Sequence, residues 1–114
     1  MTGEIDDRLS GDRAALAAGH SGQIVFIAIE LLIPMSDSLK AKRRVVKGLK
    51  DRIRARLNAS VAEIGYLEQW QRALIGVAMI GNDRVYLEQG ASALESLSRE
   101  TAGAELLGFH LEWL

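Results

Sequence analysis

Between Ser38 and Arg56 the sequence reads SLKAKRRVVKGLKDRIRAR, and nine of those nineteen residues are Lys or Arg. Asp51 is the only carboxylate among them, although the whole chain carries a formal net charge of −1, so the rest of the chain is acidic. Wound into a helix, Lys40, Arg43, Arg44, Lys47, Lys50 and Arg54 fall on one flank beside an apolar stripe. At about 1.5 Å of rise per residue that ladder is about 20 Å long, enough to follow several phosphates of an RNA backbone. Like charges three and four residues apart, such as Lys40 with Arg43 and Arg44, cost an isolated helix roughly 0.2–0.5 kcal/mol each, and an anionic partner would relieve that repulsion. The competing reading is a solvated flank whose long stems cover the edge of a sheet. Lys42 stands apart, because the same winding sets it inside the apolar sector. Either it snorkels off the first turn or it lines a contact with Trp70 or Arg72.

Other chemistry has little to work with. Cys is absent and the two His, His20 and His110, are far apart in sequence, so thiolate metal sites, disulfides, a Cys nucleophile and a His-centred dyad are not expected. Neither a metal nor a cofactor is called for. Glu30 and Glu63 could approach each other across strands, but a carboxylate pair needs a pocket and a perturbing neighbour to act. No phosphate-cradling glycine motif appears. In Trp70-Gln71-Arg72, at the start of a strand, Arg72 is a candidate additional phosphate contact, whereas Trp70 is expected to close the end of the core and Trp113 to pack likewise. The expectation is a protein that is not an enzyme, with no small-molecule substrate.

The elements that would position these residues follow from the apolar pattern. Gln23 to Ile33 alternates with Val25, Ile27, Ile29, Leu31 and Ile33 inward, which reads as a strand ended by Pro34. Ser38 is a good N-cap for a helix whose stripe is Leu39, Val46, Leu49, Ile53 and Leu57, and Asn58 suits a left-handed residue after its end. Ser60 to Tyr66 and Gln71 to Gly81 read as a hairpin around a Leu67 to Trp70 turn. Asn82-Asp83 caps a second helix with Tyr86, Leu87, Ala91, Leu94 and Leu97 on its apolar side and Gly90 against the sheet, and Glu105 to Leu114 is the last strand. The order βαββαβ predicts an α+β ferredoxin-like sandwich, two helices on one face of a four-stranded antiparallel sheet, over residues 23–114. Residues 1–22 are expected to be a flexible extension, with a weak helical turn over Leu9 to Ala18 and no secretory pattern. The longest apolar run, Ile24 to Ile33, is well short of the roughly 20 residues that cross a bilayer, so no membrane association is expected.

That fold leaves one sheet face open, with Ile24, Phe26, Ala28, Glu30 and Leu32 from the first strand and Leu74, Gly76, Ala78 and Ile80 from the third. RNA-recognition domains share this topology and stack bases on aromatics of those two strands, but Phe26 alone does not make such a platform. An aliphatic face of this size calls for a partner. Phe26, Ala28, Leu32, Leu74, Ala78 and Ile80 are therefore expected to support self-association, as in a dimer, or a contact with another protein; the alternative is that the N-terminal extension covers them.

Three stretches, SDSLKAKRRVVKGLKDRIRARLNASVAEIG, WQRALIGVA and GNDR, resemble in this order the YlxP-like family of small bacterial proteins, a domain of unknown function. The likeness covers roughly residues 24–114 and is sharpest at Ser38-Leu39-Lys40, Lys42-Arg43 and Trp70-Gln71-Arg72. Ala41 stands where many members carry Glu, which removes a capping-box partner for Ser38. The resemblance implies a ferredoxin-like fold, a cytoplasmic location and an association with the translation machinery, since members are often encoded beside translation and ribosome-maturation factors. A ribosome or RNA is then the expected partner of Lys40, Arg43, Arg44, Lys47, Lys50, Arg54 and Arg72. The alternative is a protein-interaction module that works through the open sheet face, with the basic helix docking an acidic surface.

Overall fold

A computed structural model of the chain describes residues 19–114. Of the extension expected over residues 1–22, residues 1–18, which include the expected helical turn, lie outside the described residues. The elements are β1 (Gln23–Leu32), α1 (Leu39–Arg56), β2 (Ser60–Gly65), β3 (Arg72–Gly81), α2 (Arg84–Arg99) and β4 (Glu105–Trp113). The strands form one antiparallel sheet in the order β2-β3-β1-β4. Both helices cover one face, giving the ferredoxin-like sandwich.

Strand alternation builds the core. Val25, Ile27, Ile29 and Leu31 of β1 lie opposite Met79, Val77, Ile75 and Ala73 of β3, and all eight are buried. Onto this surface α1 lays Val46, Leu49 and Ile53, and α2 lays Leu87, Ala91, Leu94 and Leu97. Gly90 takes its expected place, for a Cβ there would sit 3.3 Å from Met79 Sδ. Tyr86 does not join the stripe; it is exposed, one position before the buried Leu87.

Both helix starts are capped as the sequence requires. Ser38 Oγ accepts from the Ala41 amide at 3.0 Å, and the Asp83 carboxylate accepts from the Val85 amide at 2.9 Å. Because Ala41 cannot return a capping-box bond, Ser38 serves α1 alone, and Ser38→Ala is expected to cost about 1 kcal/mol. The check is a lowered urea midpoint with an unchanged denaturant slope.

The end of α1 differs from expectation. Asn58 is not left-handed; among the described residues only Tyr66 (φ 55°) and Gly103 (φ 81°) have positive φ. Leu57 goes straight to extended backbone (φ −127°) while its N–H still donates to Ile53 at 2.8 Å. The chain thus enters β2 without a left-handed reversal.

Candidate functional site

The three sharpest pieces of the sequence resemblance meet at one end of the sheet, where the first turns of α1 overlie the β2–β3 turn. Lys42, only 1% exposed, reaches down from α1 into that turn. Its Nζ donates to the carbonyls of Tyr66 at 2.8 Å, Arg72 at 3.2 Å and Leu67 at 3.4 Å. Glu63 Oε2 lies 2.9 Å from the same nitrogen but out of line for a hydrogen bond, so it contributes charge rather than an acceptor. Lys42 therefore does not snorkel. Of the two readings, the contact with Arg72 is the one found, and it runs through the Arg72 backbone.

The turn that Lys42 grips is tied down elsewhere as well. Tyr66 reverses the chain in the left-handed region, and its carbonyl also accepts from the Gln69 amide at 3.0 Å. Gln71 accepts at its carbonyl from the Ile33 amide at 2.8 Å and donates from Nε2 to the Ser36 carbonyl at 3.3 Å. Residues 66–71 are thus bound to both α1 and the β1–α1 loop. Trp70 does not close the core as its position suggested: it is 53% exposed on this fixed turn. Trp113 does pack, against the core edge, with the Arg84 guanidinium 4.0 Å from its ring centroid.

Arg72 turns away from all of this. Its guanidinium lies on the open sheet face, ion-paired with Glu30 and 4.8 Å from the Tyr66 ring centroid. It is therefore not part of the basic ladder, which belongs to the helical side of the molecule. The register likewise separates the two carboxylates. Glu30 pairs with Leu74 and Glu63 with Ile75, consecutive residues of β3, so the carboxylates point to opposite faces and form no acid–base pair.

Along α1 the ladder is largely as the winding implied. Lys40, Arg43, Arg44, Lys47 and Arg54 are exposed and Lys50 is half-buried. Arg54 donates to the Val61 carbonyl at 3.2 Å, which fixes this flank above the edge strand β2. Arg52 serves the other flank, donating to Thr101 Oγ1 at 3.1 Å. Lys47 meets Asp51 at 2.7 Å, and that hydrogen bond holds the Asp51 carboxyl below its ordinary range. Among the described residues no carboxylate pairs with Lys40, Arg43, Arg44 or Lys50.

The sequence profile described as "Protein of unknown function (DUF503)" matches residues 24–111. The chain belongs to the DUF503 family. It is 39% identical over 66 residues to "Uncharacterized protein YlxP" of Bacillus subtilis (strain 168), covering 58% of this chain and 72% of that one. Among solved structures, the "De novo designed protein Foldit4" superposes with a TM-score of 0.50 at 13% identity, over 82% of this chain and 96% of the designed one, a likeness of fold alone. The Lys42 latch and the ladder both lie inside the DUF503 match. Among the described residues no helix is long and apolar enough to cross a membrane.

Sequence reasoning missed one participant, Tyr66, whose ring lies under Arg72 and whose carbonyl takes the shortest Lys42 bond. Nothing in SVAEIGY marks it, because left-handed backbone is uncommon for an aromatic residue. The signal for Lys42 was there: a lysine at an apolar position of an amphipathic helix.

Proposed function

We propose that this DUF503 protein is a non-enzymatic cytoplasmic accessory protein that binds RNA, on the ribosome or free of it, through the basic flank of α1. One observation carries the reading. Lys40, Arg43, Arg44 and Lys50 stand along an 18-residue helix with no described carboxylate to neutralise them, and Lys47 is held only by an exposed pair. Exposed pairs of that kind are worth roughly 0–1 kcal/mol and are readily exchanged for phosphate. Recurrence along one helix flank suits a repeating backbone charge. The test is co-sedimentation with ribosomal particles and with protein-free RNA at about 50 and 200 mM salt, using wild type and the triple variant Arg43→Ala, Lys47→Ala, Lys50→Ala. Binding that fades at high salt and is lost in a folded triple variant is expected. Equal binding by the variant would sink the reading.

A second reading rests on the open sheet face. Phe26, Ala62, Ile64, Gly76 and Ala78 line a shallow apolar groove of about 240 Å³ there. Beside it Ile80 is 61% exposed, while Ala28, Leu32 and Leu74 are half-buried. On this reading the face joins two copies of the chain, and Ala78→Asp would convert a wild-type dimer to monomer in sedimentation velocity. A monomeric wild type at high concentration would remove it.

A further inference from the structure

We infer that Trp70 extends the basic flank into a site for single-stranded RNA, stacking on an unpaired base while Lys40, Arg43 and Arg44 hold the neighbouring phosphates. The inference rests on the RNA-binding reading and narrows it. Trp70 lies on the 66–71 turn, and Lys42 bonds that turn to the stretch of α1 from which Lys40, Arg43 and Arg44 project. Trp70 and a set of cations that no described carboxylate pairs thus sit on two elements joined at one end of the molecule.

Two features distinguish this Trp from a stray surface residue. A Trp 53% exposed is unusual for the residue with most apolar surface to hide. The backbone that carries it is over-determined by three bonds from a buried ammonium, a left-handed Tyr66 and the Gln71 bond to Ser36. Burying a lysine is among the costlier arrangements available to a small domain. Here two of its hydrogen bonds go to the turn that bears Trp70 and the third to Arg72 at the head of β3, just after it. With the backbone already fixed, only the side-chain torsions of Trp70 remain to be ordered on stacking, which keeps the entropic cost of binding an unpaired base small.

The strandedness follows from the same chemistry. In an RNA duplex the bases are stacked inside and only groove edges and phosphates face outward, so a projecting indole finds no free base plane. An unpaired strand offers one at every nucleotide. Because every base has a π-face, the contact is tolerant of sequence.

The experiment uses the full-length chain with Trp113→Phe, which leaves Trp70 as the only indole of two. Its emission is followed during titration with a single-stranded oligouridylate and with an RNA duplex of equal length. Quenching by the single strand and little change with the duplex is expected. Trp70→Ala in the otherwise native chain should weaken oligouridylate binding roughly five- to 150-fold by labelled-RNA anisotropy, the range that loss of one base stack implies. It should leave the salt slope unchanged, and Trp70→Phe should recover part of the loss. This second arm stands even if Trp113→Phe disturbs the fold. RNA binding with silent Trp70 emission and full affinity in Trp70→Ala overturns the inference and leaves the RNA reading intact. Failure of wild type to bind either RNA overturns both. Quenching by polyglutamate but not by RNA overturns both as well and makes this end a site for an acidic protein.

Discussion

Lys42→Ala is expected to destabilise the protein by about 3–5 kcal/mol, the cost of leaving one partner of a buried ion pair behind. Glu63, only 16% exposed, would lose its cation, and the carbonyls of Tyr66, Leu67 and Arg72 would lose their donor. Domains of this size hold only about 5–15 kcal/mol in total, so the variant approaches the limit of folding. Urea unfolding reads the loss directly, and Tm should fall by at least about 12 °C. The double variant Lys42→Met, Glu63→Leu separates the two causes. Removing both charges restores what the unpaired carboxylate cost, but the carbonyls stay unsatisfied at about 1–3 kcal/mol for each that water cannot reach. Full recovery in the double variant would show that the carbonyl bonds contribute nothing, and a Lys42→Ala loss under 1 kcal/mol would show that Lys42 is not the latch of this turn.

How far such a latch can be read in advance depends on which facts are local. β1 announces its buried face by alternation, and Ser38 and Asp83 announce helix starts by side-chain chemistry that acts within three residues. The ladder on α1 is equally local, since spacing alone sets its flank. Trp70 is different, because whether a residue at the head of a strand is covered depends on where the preceding turn travels. That path is set by the left-handed Tyr66 and by a lysine 24 residues earlier in the chain. The separation of Glu30 from Glu63 needed the register of three strands, including the irregularity of β2 between Glu63 and Gly65. Arg72 joins the candidate phosphate contacts by charge, as an addition to the ladder; the parity of β3 puts it on the other face, where Glu30 pairs with it. Asn58 failed for a related reason, as Leu57 is already extended and no reversal remains for a left-handed residue to make.

On the proposed RNA-binding reading, those placements set what the ladder can contribute and hence the size of its salt effect. Arg54 is engaged at the edge of β2 and Arg72 lies on the other face, which leaves Lys40, Arg43, Arg44, Lys47 and Lys50 for phosphate. Five contacts imply a slope of log K against log salt of about −3.5 to −4.5, and so a roughly 10²- to 10³-fold loss of affinity between 50 and 200 mM. The triple variant Arg43→Ala, Lys47→Ala, Lys50→Ala keeps about two contacts and should show a slope of about −1.4 to −1.8, a loss of only about tenfold over the same range. Freeing Asp51 from Lys47 adds a carboxylate to the flank in that variant, so its affinity at low salt should fall further than three lost contacts alone would give. The slope separates the possible causes because it counts ions released rather than strength of binding. A triple variant that binds weakly with the wild-type slope would mean that the phosphates lie elsewhere and that the three residues act through the fold. A wild-type slope near zero would mean that no polyanion is bound by this helix, and the open sheet face would then be the surface to pursue.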